Sequence, residues 1–329
     1  MVALLVLGLQ GSPKKNGSSD YLLKTFLKTV EKRAVEVRIL DISRMNIRPC
    51  IGCGYCEKNG FCVMDDDDMA KTVYAELRNA EVIVAASPVF FYSVTAQLKA
   101  LIDRTQALWS RKYRFRLADP LSATRKGFLL SMGGSRGKKL FTGVHLVANY
   151  FFDAIQAFYS GSLTYPGIEI PDDLQAIPNL SAVISEAGDG LMSSLLERQR
   201  VLVLGKRDDI RSQIAGALIQ YHAGNRFHVR TGGDDPAQAV HPDVVSAMAE
   251  VGIDLAFRRP GSRSQALQDY HPDHIIAMDA HIDLPTDCEA KTWIWNLPDP
   301  QAAAQVSKQE LREQIHKNVD EFVKSQSTD

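Results

Sequence analysis

The sequence predicts two α/β domains in tandem: a doubly wound parallel sheet, then a second, smaller α/β unit. Three observations carry that expectation. Short apolar runs alternate with helical stretches, the pattern of parallel strands joined by crossover helices. Ligand-friendly loops follow the first, third and fourth runs, which puts them at one edge of an open sheet. The alternation restarts at residue 200, after a turn-rich segment at residues 166–178, so the domains are placed at 1–199 and 200–329.

The totals fit that organisation. The 329 residues are 45% hydrophobic and 23% charged, with a formal net charge of -1. Nothing in that balance suggests a nucleic-acid binder. No apolar run approaches the ~20 residues of a membrane span. The opening MVALLVLGLQG is short, lacks a basic leader and runs into a glycine turn, so it reads as a buried strand rather than a signal peptide. Four clustered thiols without a targeting signal point to a reducing cytoplasm.

Residues 2–9 form a continuous apolar run, as in a strand buried on both faces. GSPKKNGSSD follows, then a helical pattern over residues 19–32. Such a turn sets backbone N–H groups and hydroxyls at a helix N-terminus, a ready anion site. Ser12, Ser18 and Ser19 can hydrogen-bond a phosphate and Lys14 can add charge, although serine and glycine also simply cap helices. The turn is neither a G-x-G-x-x-G fingerprint nor a Walker lysine loop. Residues 35–40 make the second strand.

PCIGCGYCEKNGFCVMDDDD comes next, with Cys50, Cys53, Cys56 and Cys62 spaced C-x2-C-x2-C-x5-C. Gly52, Gly54 and Gly60 allow the turns that would aim these sulfurs into one concavity. The pattern admits an iron–sulfur cluster, a structural zinc or free thiols. Zinc sites more often carry two separated C-x2-C pairs, so the spacing suits a cluster better. The run at residues 65–68 reads as solvated capping of a helix over 69–77.

The third strand, residues 81–87, runs into SPVFFYSVTAQLKALIDR. Pro88 stops the strand, Phe90, Phe91 and Tyr92 crowd the loop, and a helix opens near Ser93. Ser110 to Lys126 is locally basic, with Arg111, Lys112, Arg114, Arg116, Arg125 and Lys126; it reads as a solvated loop, with a lid for an NADPH phosphate or an acidic-partner dock as functional alternatives. The fourth strand, residues 127–132, ends in GGSRG. A helical stretch over 139–159 and the strand SLTYPG complete the unit.

GSPKKNGSS, CIGCGYCEKNGFC with DDDDM, SPVFFYSVTAQLKALIDR and MGGSRG together resemble the flavodoxin-like NAD(P)H-dependent FMN reductases, over roughly residues 1–170. The likeness is closer to their iron–sulfur flavoprotein branch. It implies FMN at the sheet edge, the phosphate held by Ser12, Lys14, Asn16, Ser18 and Ser19. Pro88, Val89, Phe90 and Phe91 would line the isoalloxazine, and Gly133, Gly134 and Ser135 would close its other side. It implies a [4Fe–4S] cluster on Cys50, Cys53, Cys56 and Cys62, in an oligomer that brings it near a partner's flavin. The implied chemistry is electron transfer with NAD(P)H as donor, between small-molecule or protein partners, with no acid or base residue nominated. Two other functions stay open: an NAD(P)H-dependent FMN or quinone reductase without a cluster, and a non-catalytic binding or regulatory protein.

In the second half, strands are expected at 200–205, in FHVRTGG, at 274–279 and at 291–296, and helices at 210–223, after Pro242 and at 307–324. VLVLGKRDDIRSQIAGAL, AVHPDVVSAMAEVGIDL and WNLPDP resemble the low-molecular-weight tyrosine phosphatases, especially their arsenate reductase relatives. Their loop is C-x5-R-[ST]; here it reads G-K-R-D-D-I-R-S. Arg211 and Ser212 match, and Asp299 matches the general-acid aspartate. The nucleophile position is Gly205, which has no side chain to attack with. Asp208 and Asp209 put negative charge where an oxyanion should rest. Asp279 stands where a redox partner of Cys288 would be expected, so Cys288 reads as a packing residue. The expectation is a phosphatase-like domain with neither phosphatase nor arsenate reductase activity.

Overall fold

A computed structural model describes residues 4–33, 35–268, 270–282, 284, 289–298 and 307–326. It divides into two compact units. One comprises Leu4–Arg116 and Thr124–Ser193; the other comprises Ser194–Asp329 together with Leu117–Ala123. Cys288 and Asp299 lie outside the described residues.

The first unit runs β1 (Leu5–Gln10), α1 (Ser18–Glu31), β2 (Glu36–Asp41), α2 (Tyr55–Asn59), a π-helical turn (Met69–Val73), α3 (Tyr74–Asn79), β3 (Val82–Pro88), α4 (Ala96–Arg104) and α5 (Gln106–Tyr113). It continues through β4 (Lys126–Gly133), α6 (Thr142–Ala154), β5 (Phe158–Pro166), α7 (Pro171–Gln175) and α8 (Leu180–Leu196). The sheet is parallel, ordered β2-β1-β3-β4-β5. The continuous apolar runs are continuous because both sheet faces are covered: β1 is buried throughout and β3 up to Ser87. Helix α1 buries Leu22, Leu23, Phe26, Leu27 and Val30, one face at helical spacing. Phe26 stacks on Phe128 of β4 at 5.0 Å. The register sets Leu9 beside Ala85 and Ala85 beside Leu129, so the carboxyl ends of β1, β3 and β4 reach one edge together.

Two expectations for this unit are corrected. The helical stretch over 139–159 ends with α6 at Ala154; Gln156 turns left-handed, at φ 57°, and β5 begins at Phe158. The basic stretch is not a solvated loop. Ser110 to Tyr113 belong to α5, and Arg111 and Arg125 are buried. Arg125 donates to the carbonyls of Arg78 at 2.8 Å, Ala80 at 2.9 Å and Ile155 at 3.0 Å, at the ends of α3 and α6. Helix ends leave carbonyls without partners, and a planar guanidinium collects several at once.

The second unit runs β6 (Gln199–Gly205), α9 (Arg211–Ala223), β7 (Phe227–Gly233), α10 (Pro242–Ala249), α11 (Arg263–Leu267), β8 (His274–Ala277), β9 (Lys291–Ile294) and α12 (Lys308–Ser325). Its sheet is parallel, ordered β7-β6-β8-β9. Helix α12 buries Leu311, Ile315, Val319 and Phe322 on one stripe and opens on a capping box between Ser307 and Glu310. The segment 117–123 is part of this unit: Ala118 N–H donates to Gly252 O and Asp254 N–H to Ala118 O, each at 2.8 Å. No helix among the described residues is long and apolar enough to cross a membrane.

Candidate functional site

The loops after β1, β3 and β4 meet at the carboxyl edge of the first sheet. Gly11 N–H donates to Ala86 O at 2.9 Å, and the Thr95 hydroxyl, which caps α4, donates to Gly11 O at 2.5 Å. Val89 N–H donates to Met132 O at 2.8 Å, and the Ser19 hydroxyl to Met132 Sδ at 2.9 Å. Ser12, Ser18 and Ser19 are buried; Lys14 and Asn16 are exposed, as are Gly134 and Ser135, whereas Gly133 is buried. Helix α1 has no side-chain cap, and the buried Ser18 Oγ at its start makes no hydrogen bond. Gln10, at the end of β1, accepts from Ser12 N–H at 3.1 Å, yet its buried Nε2 has no partner. Buried donors are left orphaned only at a cost of about 1–3 kcal/mol each, so this loop is shaped for an acceptor that completes them. The residues present fit the phosphate of FMN, with Gln10 as a participant the sequence did not single out.

The loop after β3 is strained. Phe90 and Ser93 exchange both backbone hydrogen bonds at 2.9 Å, and the residues between them, Phe91 and Tyr92, sit left-handed at φ 48° and 61°. Each bulky residue there costs about 1–2 kcal/mol. Gly143 at the start of α6 makes room for the turn, because a Cβ there would stand 2.0 Å from Tyr92 O. Phe91 is fully exposed and Phe90 half-exposed, while Pro88 and Val89 are partly buried.

The four sequence-predicted cysteines come together. Cys50, Cys53, Cys56 and Cys62 line one pocket of about 350 Å³, with Met64, Arg104 and Ala107 at its wall. No group of three or more His, Cys, Asp or Glu side chains among the described residues is arranged around a single metal ion. The four cysteines line one pocket, and four thiolates are the donor set of an iron–sulfur cluster, so the residues fit one chemically. Burial pushes the Cys56 thiol up, and the neighbouring Cys62 and Cys50 reinforce it. Gly60 is favoured by its backbone, and a side chain there would also displace the end of Arg111. Its φ is 72°, and a Cβ would meet Arg111 Nη1 at 2.7 Å.

The acidic run is corrected at one position. Asp65 and Asp66 are exposed, but Asp67 is 2% exposed and pairs with Arg104. Burial alone would raise the Asp67 carboxyl; the bonds from Arg104 and the Arg48 N–H hold it below its ordinary value. The sequence hid this residue among like neighbours.

In the second unit, residues 205–212 turn from β6 into α9. Asp208 sits left-handed at φ 52° and is 1% exposed. Its carboxylate is turned into the protein, not left to occupy an oxyanion position as expected. It accepts from Ser212 Oγ at 2.7 Å, Gly261 N–H at 2.8 Å, Thr231 Oγ1 at 2.9 Å and Gln213 Nε2 at 3.0 Å. Burial nevertheless pushes it up to about 6. Arg211 is buried, and donates to Leu297 O at 2.7 Å and to Asp279 at 3.0 Å. Gly205 offers no nucleophile.

The NADPH-dependent FMN reductase family model matches residues 4–156. The chain is 36% identical over 131 residues to an iron–sulfur flavoprotein of Methanosarcina thermophila, covering 40% of this chain and 64% of that protein. It spans, therefore, less than two thirds of that relative. It is 30% identical over 146 residues to an iron–sulfur flavoprotein of Methanocaldococcus jannaschii, covering 44% of this chain and 70% of that one. It is also 32% identical over 124 residues to a putative arsenate reductase of Halobacterium salinarum, covering 34% of this chain and 84% of that one.

Proposed function

From a chain that belongs to the iron–sulfur flavoproteins of the NADPH-dependent FMN reductase family, and carries a second domain of the arsenate reductase type, we propose an FMN-dependent electron-transfer oxidoreductase. The observation that carries this reading is two buried, unpartnered donors in the strand-to-helix turn, Gln10 Nε2 at the end of β1 and Ser18 Oγ at the uncapped start of α1. They would bind the FMN phosphate with Ser12, Lys14, Asn16 and Ser19. Pro88, Val89, Phe90 and Phe91 would lie along the ring on one side and Gly133, Gly134 and Ser135 on the other. FMN, when bound, supplies hydride and single-electron chemistry, and the protein's part is to place it and exclude side reactions.

The same reading gives Cys50, Cys53, Cys56 and Cys62 to a [4Fe–4S] cluster, takes NAD(P)H as donor, and sets the protein in a reducing compartment, in keeping with four free thiols. The exposed Ile51, Tyr55, Phe61, Phe90 and Phe91 support a homo-oligomer, since large apolar side chains left exposed at a surface favour association. The second domain is read as having neither phosphatase nor arsenate reductase activity: Gly205 cannot attack, and the Arg211 guanidinium is engaged by Leu297 O and Asp279.

An anaerobic visible spectrum of freshly purified protein tests the proposal. Flavin bands with a broad added shoulder that dithionite bleaches, and iron that is lost in Cys53→Ala, are expected. Flavin bands without iron, after expression with iron supplied, would leave an FMN or quinone reductase with free thiols. A colourless protein that refuses added FMN would overturn the oxidoreductase reading.

A further inference from the structure

Both stems of the cysteine loop converge on one buried guanidinium. Arg104, at the end of α4, is 1% exposed and forms part of the wall of the thiol pocket. It donates through Nη1 to the carbonyl of Arg48, at 3.0 Å, and through Nη2 to the carbonyl of Met64, at 2.9 Å. Arg48 precedes Cys50 by two residues and Met64 follows Cys62 by two. The same fork closes on Asp67, at 2.5 and 3.2 Å. Asp67 in turn accepts from Arg48 N–H at 3.1 Å and Ala70 N–H at 3.3 Å. The Tyr74 hydroxyl donates to the Arg104 carbonyl at 2.7 Å, fixing the backbone that carries the fork.

We propose that Arg104 and Asp67 are positioning residues of the thiol site, holding the Cys50 and Cys62 ends of the loop in register so that all four sulfurs face one pocket. The inference rests on the reading of those cysteines as cluster ligands. The physical case is one of loop closure. Between its stems the loop has a single short helix, α2, and would otherwise sample many separations of its ends. A guanidinium is planar, always charged and presents its N–H groups in a rigid fork, so it fixes the spacing of two carbonyls and a carboxylate simultaneously. A lysine ammonium at this place supplies charge but no fork. Arg111 adds a hold nearer Cys62: it donates to the Gly60 carbonyl at 3.4 Å, and its guanidinium lies 4.8 Å over the Phe61 ring.

The test uses the full-length protein, reconstituted anaerobically with iron and sulfide, as wild type, Arg104→Lys, Arg104→Met and Asp67→Asn. Bound FMN per chain reports whether the first unit is folded. Iron and sulfide per chain, the electron paramagnetic resonance spectrum after dithionite, and hydrogen exchange of residues 50–62 report on the loop. With FMN retained, the proposal expects Arg104→Met and Asp67→Asn to lose most of their iron, and Arg104→Lys to keep a partial load with an altered spectrum. Exchange in residues 50–62 should quicken at least tenfold in the metal-free variants while β1 and β3 are unchanged. Wild-type iron content, spectrum and exchange in all three variants would overturn it. A wild type that never takes up iron, with variants whose loop still exchanges faster, would sink the cluster reading and keep the clamp.

Discussion

Asp208→Asn should stabilise the second unit at neutral pH. The carboxylate is fully buried, and burial displaces it from an ordinary 3.8 up to about 6. A displacement of that size is worth about 3 kcal/mol. The sign follows from proton binding: between about pH 4 and pH 6 the folded unit holds a proton that the unfolded chain has released, so stability falls as pH rises through this window and is flat above it. Asparagine is neutral throughout. Its carbonyl can inherit the three bonds that Oδ2 accepts from Gln213, Thr231 and Gly261, and its amide can donate to the Ser212 hydroxyl, which must turn. The left-handed backbone at φ 52° suits asparagine as well as aspartate. The variant should therefore gain up to about 3 kcal/mol at about pH 8 and little below about pH 4. Urea unfolding followed by tryptophan emission would measure it, in a Trp109→Phe background that leaves Trp293 and Trp295 of the second unit as reporters. A variant less stable than wild type at about pH 8 would refute the reasoning, because the four hydrogen bonds would then outweigh the cost of the buried charge.

Two further outcomes are expected. Ser18→Ala should weaken FMN binding to the apoprotein by roughly tenfold and leave riboflavin, which has no phosphate, unaffected; flavin fluorescence titration measures both, and equal losses would remove Ser18 from the phosphate site. Wild type and Arg211→Ala should be equally inert toward p-nitrophenyl phosphate, and turnover that disappears in Arg211→Ala would restore a catalytic role to the second domain.

The sequence by itself determined both folds. Strands buried on two faces must be apolar along their whole length, so β1, β3, β4 and β6 stood out as short runs, and the helices between them were legible from one-sided burial. The thiol motif and the serine turn were also visible, since both are local in the chain. Tertiary structure alone decided what charged and polar residues do, because a side chain's role depends on partners distant in sequence. Arg125, part of a stretch that reads as solvated, collects carbonyls from the ends of two helices. Asp67, one of four consecutive aspartates, is the one turned inward, toward an arginine 37 positions away. Gln10 has its oxygen engaged by Ser12 N–H and its buried amide nitrogen unpartnered, and Asp208 is a buried strut because Thr231 and Gly261 arrive from elsewhere in the second unit. Apolar periodicity records which face is covered; it carries no record of which buried donor meets which acceptor.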